Sequence, residues 1–139
     1  MSNKVFIDTQ FVVALVNRRD QHHQEAVKLA DDYAGHPVLI TDAVLLEIGN
    51  ALACNFRQQA VDVIEDFFAS DEVEIVRLSA KLLEEAFTLY KTHQDKEWSL
   101  VDCVSFVVMK EAGTTLALTF DQHFVQAGFR ALMRETPDV

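Results

Sequence analysis

Short runs of aliphatic and β-branched residues alternate along this chain with longer segments whose apolar residues recur at helical spacing. The predicted strands are residues 4–7, 38–40, 73–76 and 114–119, with a further edge strand near 129–133. The predicted helices include residues 10–17, 43–55, 100–112 and 121–127. Because strands that alternate with helices are joined by right-handed crossovers, the pattern indicates an α/β protein with a mainly parallel sheet covered by helices on both faces.

The length of 139 residues is that of one domain. No internal repeat, linker or shift in composition divides the chain, so we expect residues 1–139 to form a single domain. The longest strictly apolar run, residues 11–16, is far shorter than the roughly 18 residues that a membrane-spanning helix needs. Residues 1–8 lack the apolar segment of a signal peptide, and we therefore expect a cytoplasmic protein with no membrane association.

The charge balance narrows the classes of function. Twelve Lys and Arg residues against 22 Asp and Glu residues give a net charge of −10, which opposes nucleic-acid binding through a broad basic surface. An enzyme that acts on nucleic acid stays open, because metal ions supply positive charge locally. The two cysteines, Cys54 and Cys103, lie in predicted helices and are expected to be reduced core residues. The five histidines show no pairing at ligand spacing, so no catalytic zinc site is expected.

Four carboxylates lie where the surrounding sequence is apolar or uncharged. Asp8 follows the first predicted strand and Asp121 follows the last clear one, so both belong at the carboxyl ends of parallel strands, where α/β sheets bind ligands. Glu47 and Asp102 lie in helical segments that are otherwise nearly all apolar. A buried carboxylate without a partner costs several kcal/mol of stability, so a compensating group is expected near them.

Each of these carboxylates also has a purely structural explanation. Asp8 and Asp121 can cap the helices that follow them. Asp102 can form a capping box with Ser99, and Glu47 can form a buried salt bridge. A single cause covers all four residues, however, because acids gathered without basic partners repel one another unless a hard divalent cation, Mg²⁺ or Mn²⁺, binds between them.

A divalent cation at this position indicates hydrolysis of a phosphodiester. Such an ion lowers the pKa of water and stabilises negative charge on a phosphoryl group, and two ions about 4 Å apart can do both. Three hydroxyl residues beside the acids, Thr9, Ser99 and Thr119, are candidates to orient the carboxylates or the waters around the metal. As ordinary capping and strand residues they have a structural explanation as well.

Four short motifs occur together in this chain: Val5-Phe6-Ile7-Asp8-Thr9, Leu45-Leu46-Glu47, Ser99-Leu100-Val101-Asp102 and Thr119-Phe120-Asp121-Gln122-His123-Phe124. In order and spacing they resemble the PIN-domain family, especially the VapC-like toxins of bacterial toxin–antitoxin pairs. The resemblance implies a three-layer α/β/α sandwich around a mainly parallel central sheet. It also implies endonucleolytic cleavage of RNA, with Mg²⁺ or Mn²⁺ bound by four acids: Asp8, Glu47, Asp102 and Asp121.

The same resemblance implies partners. VapC-like proteins pair as homodimers and are blocked by an antitoxin peptide, whose arginine can pair with the acidic cleft.

Gln10 departs from the family pattern, in which Asn or Ser is commoner at that position. An acidic chain that binds RNA needs locally placed cations, and the candidates are Arg18, Arg19, Lys96, Arg130 and Arg134.

Two other functions stay open from the sequence. A haloacid-dehalogenase-like phosphatase also has an Asp after its first strand, but that family uses Asp-x-Asp where this chain has Asp8-Thr9-Gln10. A catalytically silent PIN-fold interaction module would bind a partner through apolar helix faces. The candidates for such faces are Val12, Val13, Val16, Phe56, Phe67 and Phe68.

Overall fold

A computed structural model describes residues 3–135 of the chain. The strands are β1 Val5–Ile7, β2 Val38–Thr41, β3 Val73–Val76, β4 Leu116–Leu118 and β5 Arg130–Ala131. The helices are α1 Thr9–Val16, α2 His23–Asp32, α3 Asp42–Ala51, α4 Arg57–Ala69, α5 Ala80–Thr92, α6 Leu100–Ala112 and α7 Gln122–Gln126. A short 3-10 helix, Leu132–Arg134, follows β5.

All five strands are parallel and lie in the order β3-β2-β1-β4-β5. The chain moves from β1 outward to β3 and then returns to the other side of β1 for β4. Because crossovers between parallel strands of one sheet are right-handed as a rule, this reversal places helices on opposite faces of the sheet. The predicted α/β/α sandwich with a parallel central sheet is therefore confirmed.

The predicted elements occur, with shifted ends. The strand predicted at 114–119 is shorter, Leu116–Leu118, and the edge strand near 129–133 has only two residues before the 3-10 helix begins. The longest helices have 13 residues. Within residues 3–135, no helix is both long and apolar enough to cross a membrane.

The helix predicted at 43–55 is too long. It ends at Ala51, because Leu52 turns into the core while the chain reverses direction toward α4 in a four-residue turn that contains no Gly or Pro. Cys54 lies in this turn and is exposed, so its prediction as a core residue is wrong. Cys103 is buried and free, as predicted.

A chain of aromatic rings fixes α6 and α7 against the first strand. The ring centroids of Phe6 and Phe124 lie 6.1 Å apart, and Phe106 meets Phe124 edge-on at 5.0 Å. Trp98 in turn lies edge-on to Phe106 at 5.0 Å, just before α6 begins. Such aromatic contacts stabilise beyond their buried area, and here they hold the first turns of α6 and α7 at the end of β1.

The apolar residues considered for a partner surface belong mostly to the core. Val12 is buried, whereas the others, apart from Phe68, are partly buried and pack against the core: Val13, Val16, Phe56 and Phe67. Phe68 is the exception, because 58% of its surface is exposed on α4. These six residues therefore provide little of the broad apolar surface that an interaction module would need.

Candidate active site

The site begins at the carboxyl ends of β1 and β4, which pair directly with each other. These two strands are the point at which the strand order reverses, and ligands of open α/β sheets bind in the crevice outside such a point. Asp8 follows β1, and its backbone N–H donates to the Leu118 carbonyl at 3.3 Å. Asp121 follows β4 by three residues. The two acids therefore stand at one rim of the sheet, as predicted.

Asp8 is buried at this rim, with 6% of its surface exposed. Its side chain makes no capping hydrogen bond to α1, so the capping explanation is not realised. The carboxylate instead accepts a hydrogen bond from Thr119 Oγ1 at 2.8 Å. Burial raises the pKa of Asp8 from 3.8 to about 7, and the charges of Asp102 and Glu47 act in the same direction. The fold thus holds this acid where its charge is costly.

Thr119 connects the two rim acids from behind the site. It is fully buried, and its hydroxyl donates to Asp8 while accepting a hydrogen bond from the Asp121 backbone N–H at 3.0 Å. Thr119→Val removes both bonds with little change in volume. We expect the free energy of unfolding to fall by about 1 to 3 kcal/mol, because two polar groups lose their buried partner.

Thr114 provides the matched control for this prediction. It is also buried, but its hydroxyl has no hydrogen-bond partner among the described residues. Thr114→Val should therefore leave the free energy of unfolding unchanged or raise it slightly. Urea denaturation of both variants measures the difference. Equal losses would show that the Thr119 hydroxyl does not hold the two acids.

Asp102 and Asp121 both cap helices. In α6 the Asp102 N–H donates to Ser99 Oγ and the Ser99 N–H donates to Asp102 Oδ2, each at 3.0 Å, which completes the capping box. Asp121 Oδ1 accepts from the His123 N–H at 2.9 Å. Burial is the largest cause of a raised pKa at Asp102, and the charge of Asp121 adds to it. The caps stabilise the helices without removing either acid from the cleft.

His123 is a site residue that the sequence analysis does not single out. Its Nδ1 lies 3.0 Å from Asp102 Oδ2 and 3.2 Å from Asp121 Oδ1. One ligand atom from each of these three residues lies within 4.8 Å of the others, so they can hold a metal ion together. A search for paired histidines cannot detect this arrangement, because the signal is the Asp-x-His spacing in the first turn of α7.

Glu47 reaches the site from α3. It is half-buried, and its Oε1 accepts a hydrogen bond from Thr9 Oγ1 at 2.7 Å. No ion pair to Glu47 occurs within residues 3–135, so the salt-bridge explanation is not realised. The neighbouring Leu46 does not lie in the core as its apolar character suggests, since 68% of its surface is exposed.

All four predicted acids line one cleft of about 640 Å³ together with Thr9 and Ser99. The other residues that line it are Gln10, Asn50, Ala51, Glu97 and His123. Thr119 does not line the cleft but lies beneath it. Five of the described lining residues are carboxylates and none is Lys or Arg. A hard divalent cation such as Mg²⁺ or Mn²⁺ prefers oxygen donors, and these carboxylates have no Lys or Arg beside them among the described residues of the cleft, so the residues present fit such an ion.

Comparison with known proteins identifies the fold that carries this cleft. Residues 5–130 match the PIN domain, which is most of the chain. The chain belongs to the PIN-domain family. The matched region includes all four acids of the cleft, and membership excludes the haloacid-dehalogenase-like alternative.

Individual PIN-domain proteins are also similar to this chain. The 23S rRNA-specific endonuclease VapC20 of Mycobacterium tuberculosis is 33% identical over 127 residues, which cover 90% of this chain and 95% of the relative, in both strain CDC 1551 / Oshkosh and strain ATCC 25618 / H37Rv. The crystal structure of VapC20, described as a sarcin–ricin loop cleaving toxin, matches with a TM-score of 0.82 and 31% identity. That match covers 91% of this chain and 97% of the other. The predicted VapC-like PIN-domain ribonuclease is therefore confirmed.

Proposed function

We propose that this chain is an endoribonuclease that depends on Mg²⁺ or Mn²⁺ and acts as the toxin of a toxin–antitoxin pair. The observation that carries the proposal is the convergence of four carboxylates in one cleft at the sheet rim, with no Lys or Arg among the described residues that line it. The proposed metal ligands and catalytic residues are Asp8, Glu47, Asp102 and Asp121. The whole of residues 1–139 is taken as one PIN-like domain, of which residues 1–2 and 136–139 lie outside the described part.

The proposed chemistry divides between the ion and the side chains that hold it. When bound, a divalent cation would lower the pKa of water and stabilise negative charge on a phosphodiester. Asp8 and Asp121 approach from the sheet, whereas Glu47 and Asp102 approach from α3 and α6. Because these four acids are ordered by hydrogen bonds within the protein, they are already oriented when substrate and metal arrive.

Three hydroxyl residues and one histidine perform this ordering in our proposal. Thr119 holds Asp8, and Thr9 holds Glu47 through the 2.7 Å hydrogen bond. The Ser99 backbone N–H and the His123 ring both contact Oδ2 of Asp102, which leaves its Oδ1 for other contacts. These residues act as positioning residues rather than as reacting groups.

The substrate that we propose is a structured loop of ribosomal RNA. VapC20 is named for 23S rRNA and described as cleaving the sarcin–ricin loop, and this chain aligns with nearly its whole length. We also propose that the enzyme acts in the cytoplasm, because an rRNA substrate would be found there. The proposed protein partners are a second copy of the chain, in a homodimer, and an antitoxin whose arginine pairs with the carboxylates of the cleft.

Cleavage of a synthetic RNA hairpin with the sarcin–ricin loop sequence tests the proposed activity. With tRNA as the comparison substrate, the wild-type protein should cut the hairpin in Mg²⁺ or Mn²⁺ but not in EDTA, and Mn²⁺ in excess over EDTA should restore cleavage. Denaturing gel electrophoresis measures the products. Cleavage in EDTA would contradict the dependence on metal, and binding without cleavage under any ion would favour the silent interaction module.

A further inference from the structure

A second cleft, of about 580 Å³, lies where the end of α1 meets the start of α4. We call it the arginine cleft, and its principal lining residues are Asn17, Arg18, Arg19, Asn55, Phe56 and Gln59. None of the described residues that line it is acidic, although the chain carries a net charge of −10. The nearest acid along the chain, Asp20, accepts a hydrogen bond from the His22 N–H at 2.8 Å. The arginine cleft is thus a local basic surface on an acidic protein.

The side chains of the two arginines of this cleft have no ion-pair or hydrogen-bond partners in the described part of the chain. Arg18 and Arg19 are exposed, and neither side chain forms an ion pair or hydrogen bond within residues 3–135. The other three cations considered from the sequence each have an intramolecular partner: Lys96 with Asp95 at 3.3 Å, Arg130 with Glu135 at 2.6 Å, and Arg134 with the Phe120 carbonyl at 3.0 Å. Arg18 and Arg19 are therefore available to bind a ligand. The other three cations already contact groups of the protein itself.

The cleft of about 640 Å³ that the four acids line, which we call the acidic cleft, borders the same two segments of chain as the arginine cleft. Helix α1 lines the acidic cleft with Thr9 at its first turn and the arginine cleft with Val16 at its last residue, a separation of about 10 Å along the helix axis. The segment that runs from the end of α3 into the following turn also borders both clefts. Asn50 lines the acidic cleft and Asn55 lines the arginine cleft. A nucleic-acid strand bound at the carboxylates can therefore continue into the arginine cleft within a few nucleotides.

We infer that the arginine cleft binds the phosphate backbone of the RNA substrate beside the cleavage site. Guanidinium groups match phosphate oxygens in a bidentate manner, and two unpaired guanidinium groups lose no internal ion pair when they bind. The amides of Asn55 and Gln59 add hydrogen-bonding groups for the sugar–phosphate chain. The inference rests on the proposed ribonuclease function, and it explains how a chain of net charge −10 retains a polyanion.

The test compares RNA binding by Arg18→Ala/Arg19→Ala with binding by a charge-matched control. Lys28→Ala/Lys81→Ala removes the same charge from two exposed helix positions, where each lysine pairs with an acid one turn away. Fluorescence anisotropy with the labelled hairpin in EDTA, between 50 and 200 mM KCl, measures affinity without cleavage. We expect the arginine variant to bind about tenfold or more weakly, with a salt slope lower by about 1.4 to 1.8. The lysine variant should stay within about twofold of wild type.

The cleavage assay separates this inference from the proposed function. In Mg²⁺ the arginine variant should show a raised KM with kcat close to wild type, because the acids that carry the chemistry are untouched. Failure of wild-type cleavage would contradict the proposed function alone. Equal loss of affinity in both double variants, or unchanged affinity and salt slope in the arginine variant, would overturn the inference. Unchanged RNA binding with weakened binding of an acidic peptide would overturn it too, and would assign the cleft to a protein partner.

Discussion

Replacing Asp8 with Asn should raise the free energy of unfolding of the metal-free protein by roughly 2 to 4 kcal/mol at pH 8. The reason is that burial raises the pKa of this carboxyl to about 7, so at pH 8 the fold must hold a charge that the site disfavours. Asparagine removes the charge, and its carbonyl oxygen can still accept the hydrogen bond from Thr119. Urea denaturation in EDTA measures the change.

The difference in the free energy of unfolding between Asp8→Asn and the wild type depends on pH. Between about pH 4 and pH 7 the folded protein keeps a proton on Asp8 that the unfolded chain has released, because folding raises the pKa from 3.8 to about 7. The free energy of unfolding contributed by this group therefore falls as the pH rises through that window and is constant above it. Asp8→Asn lacks this dependence, so the difference between the variant and the wild type should shrink toward zero near pH 4.

Asp62→Asn is the control for the stability measurement. Asp62 lies on α4 and accepts a hydrogen bond from the exposed Gln58 side chain at 3.0 Å. Its replacement should change the free energy of unfolding by no more than about 0.5 kcal/mol at either pH. A gain in Asp8→Asn that is the same at pH 4 and pH 8 would contradict the account, because it would not arise from the charge of Asp8.

Replacing Asp102 with Asn should lower the rate of RNA cleavage by about a thousandfold or more, because several kcal/mol of transition-state stabilisation depend on the bound metal. Both hydrogen bonds to this side chain end on Oδ2, from the Ser99 N–H and from His123 Nδ1. The asparagine carbonyl can accept both, so the capping box and the fold should persist. Single-turnover cleavage with Mg²⁺ measures the loss.

The effect on stability distinguishes the proposed catalytic role of Asp102 from its capping role. Burial raises the pKa of Asp102, so removal of its charge should leave the metal-free protein at least as stable as wild type at pH 8. Asp62→Asn should cleave RNA at the wild-type rate. A variant of Asp102 that unfolds more easily yet cleaves normally would show that the residue serves only to cap α6.

The sheet rim of the site could be predicted from local sequence patterns. Asp8 and Asp121 each follow a strand, and parallel strands end at the same edge of a sheet, so their meeting requires no knowledge of individual contacts. The pairing of β1 with β4 then brings these two acids to neighbouring strands. Glu47 and Asp102 could be predicted because a lone charge in an apolar helix needs a compensating group.

The role of Asp102 illustrates a limit of such patterns. The sequence presents capping of α6 and membership of the acidic cluster as alternatives, whereas in the structure Asp102 both caps α6 and lines the cleft. Both are compatible because α6 begins at the rim, where its first turn faces the cleft while its backbone N–H groups still need partners. Only the placement of the helix relative to the sheet shows this.

Other features depend on tertiary packing and could not be predicted. Leu46 and Cys54 are apolar, but packing of α3 and the turn after it leaves both exposed. His123 enters the site because Asp121 caps α7 and brings the ring back toward Asp102. Which side of a helix meets a neighbour, and where a turn directs a ring, are set by contacts distant in sequence.

The response of thermal stability to Mn²⁺, measured on the wild type and on Asp102→Asn, tests the central claim that the acidic cleft is a metal site. A ligand that binds only the folded state at a hundredfold excess over its Kd stabilises by about 2.7 kcal/mol, so the wild-type melting temperature should rise by roughly 10 °C. Asp102→Asn should gain much less, because it lacks one of the proposed ligands. An equal rise in both proteins, or no rise in the wild type, would contradict the assignment.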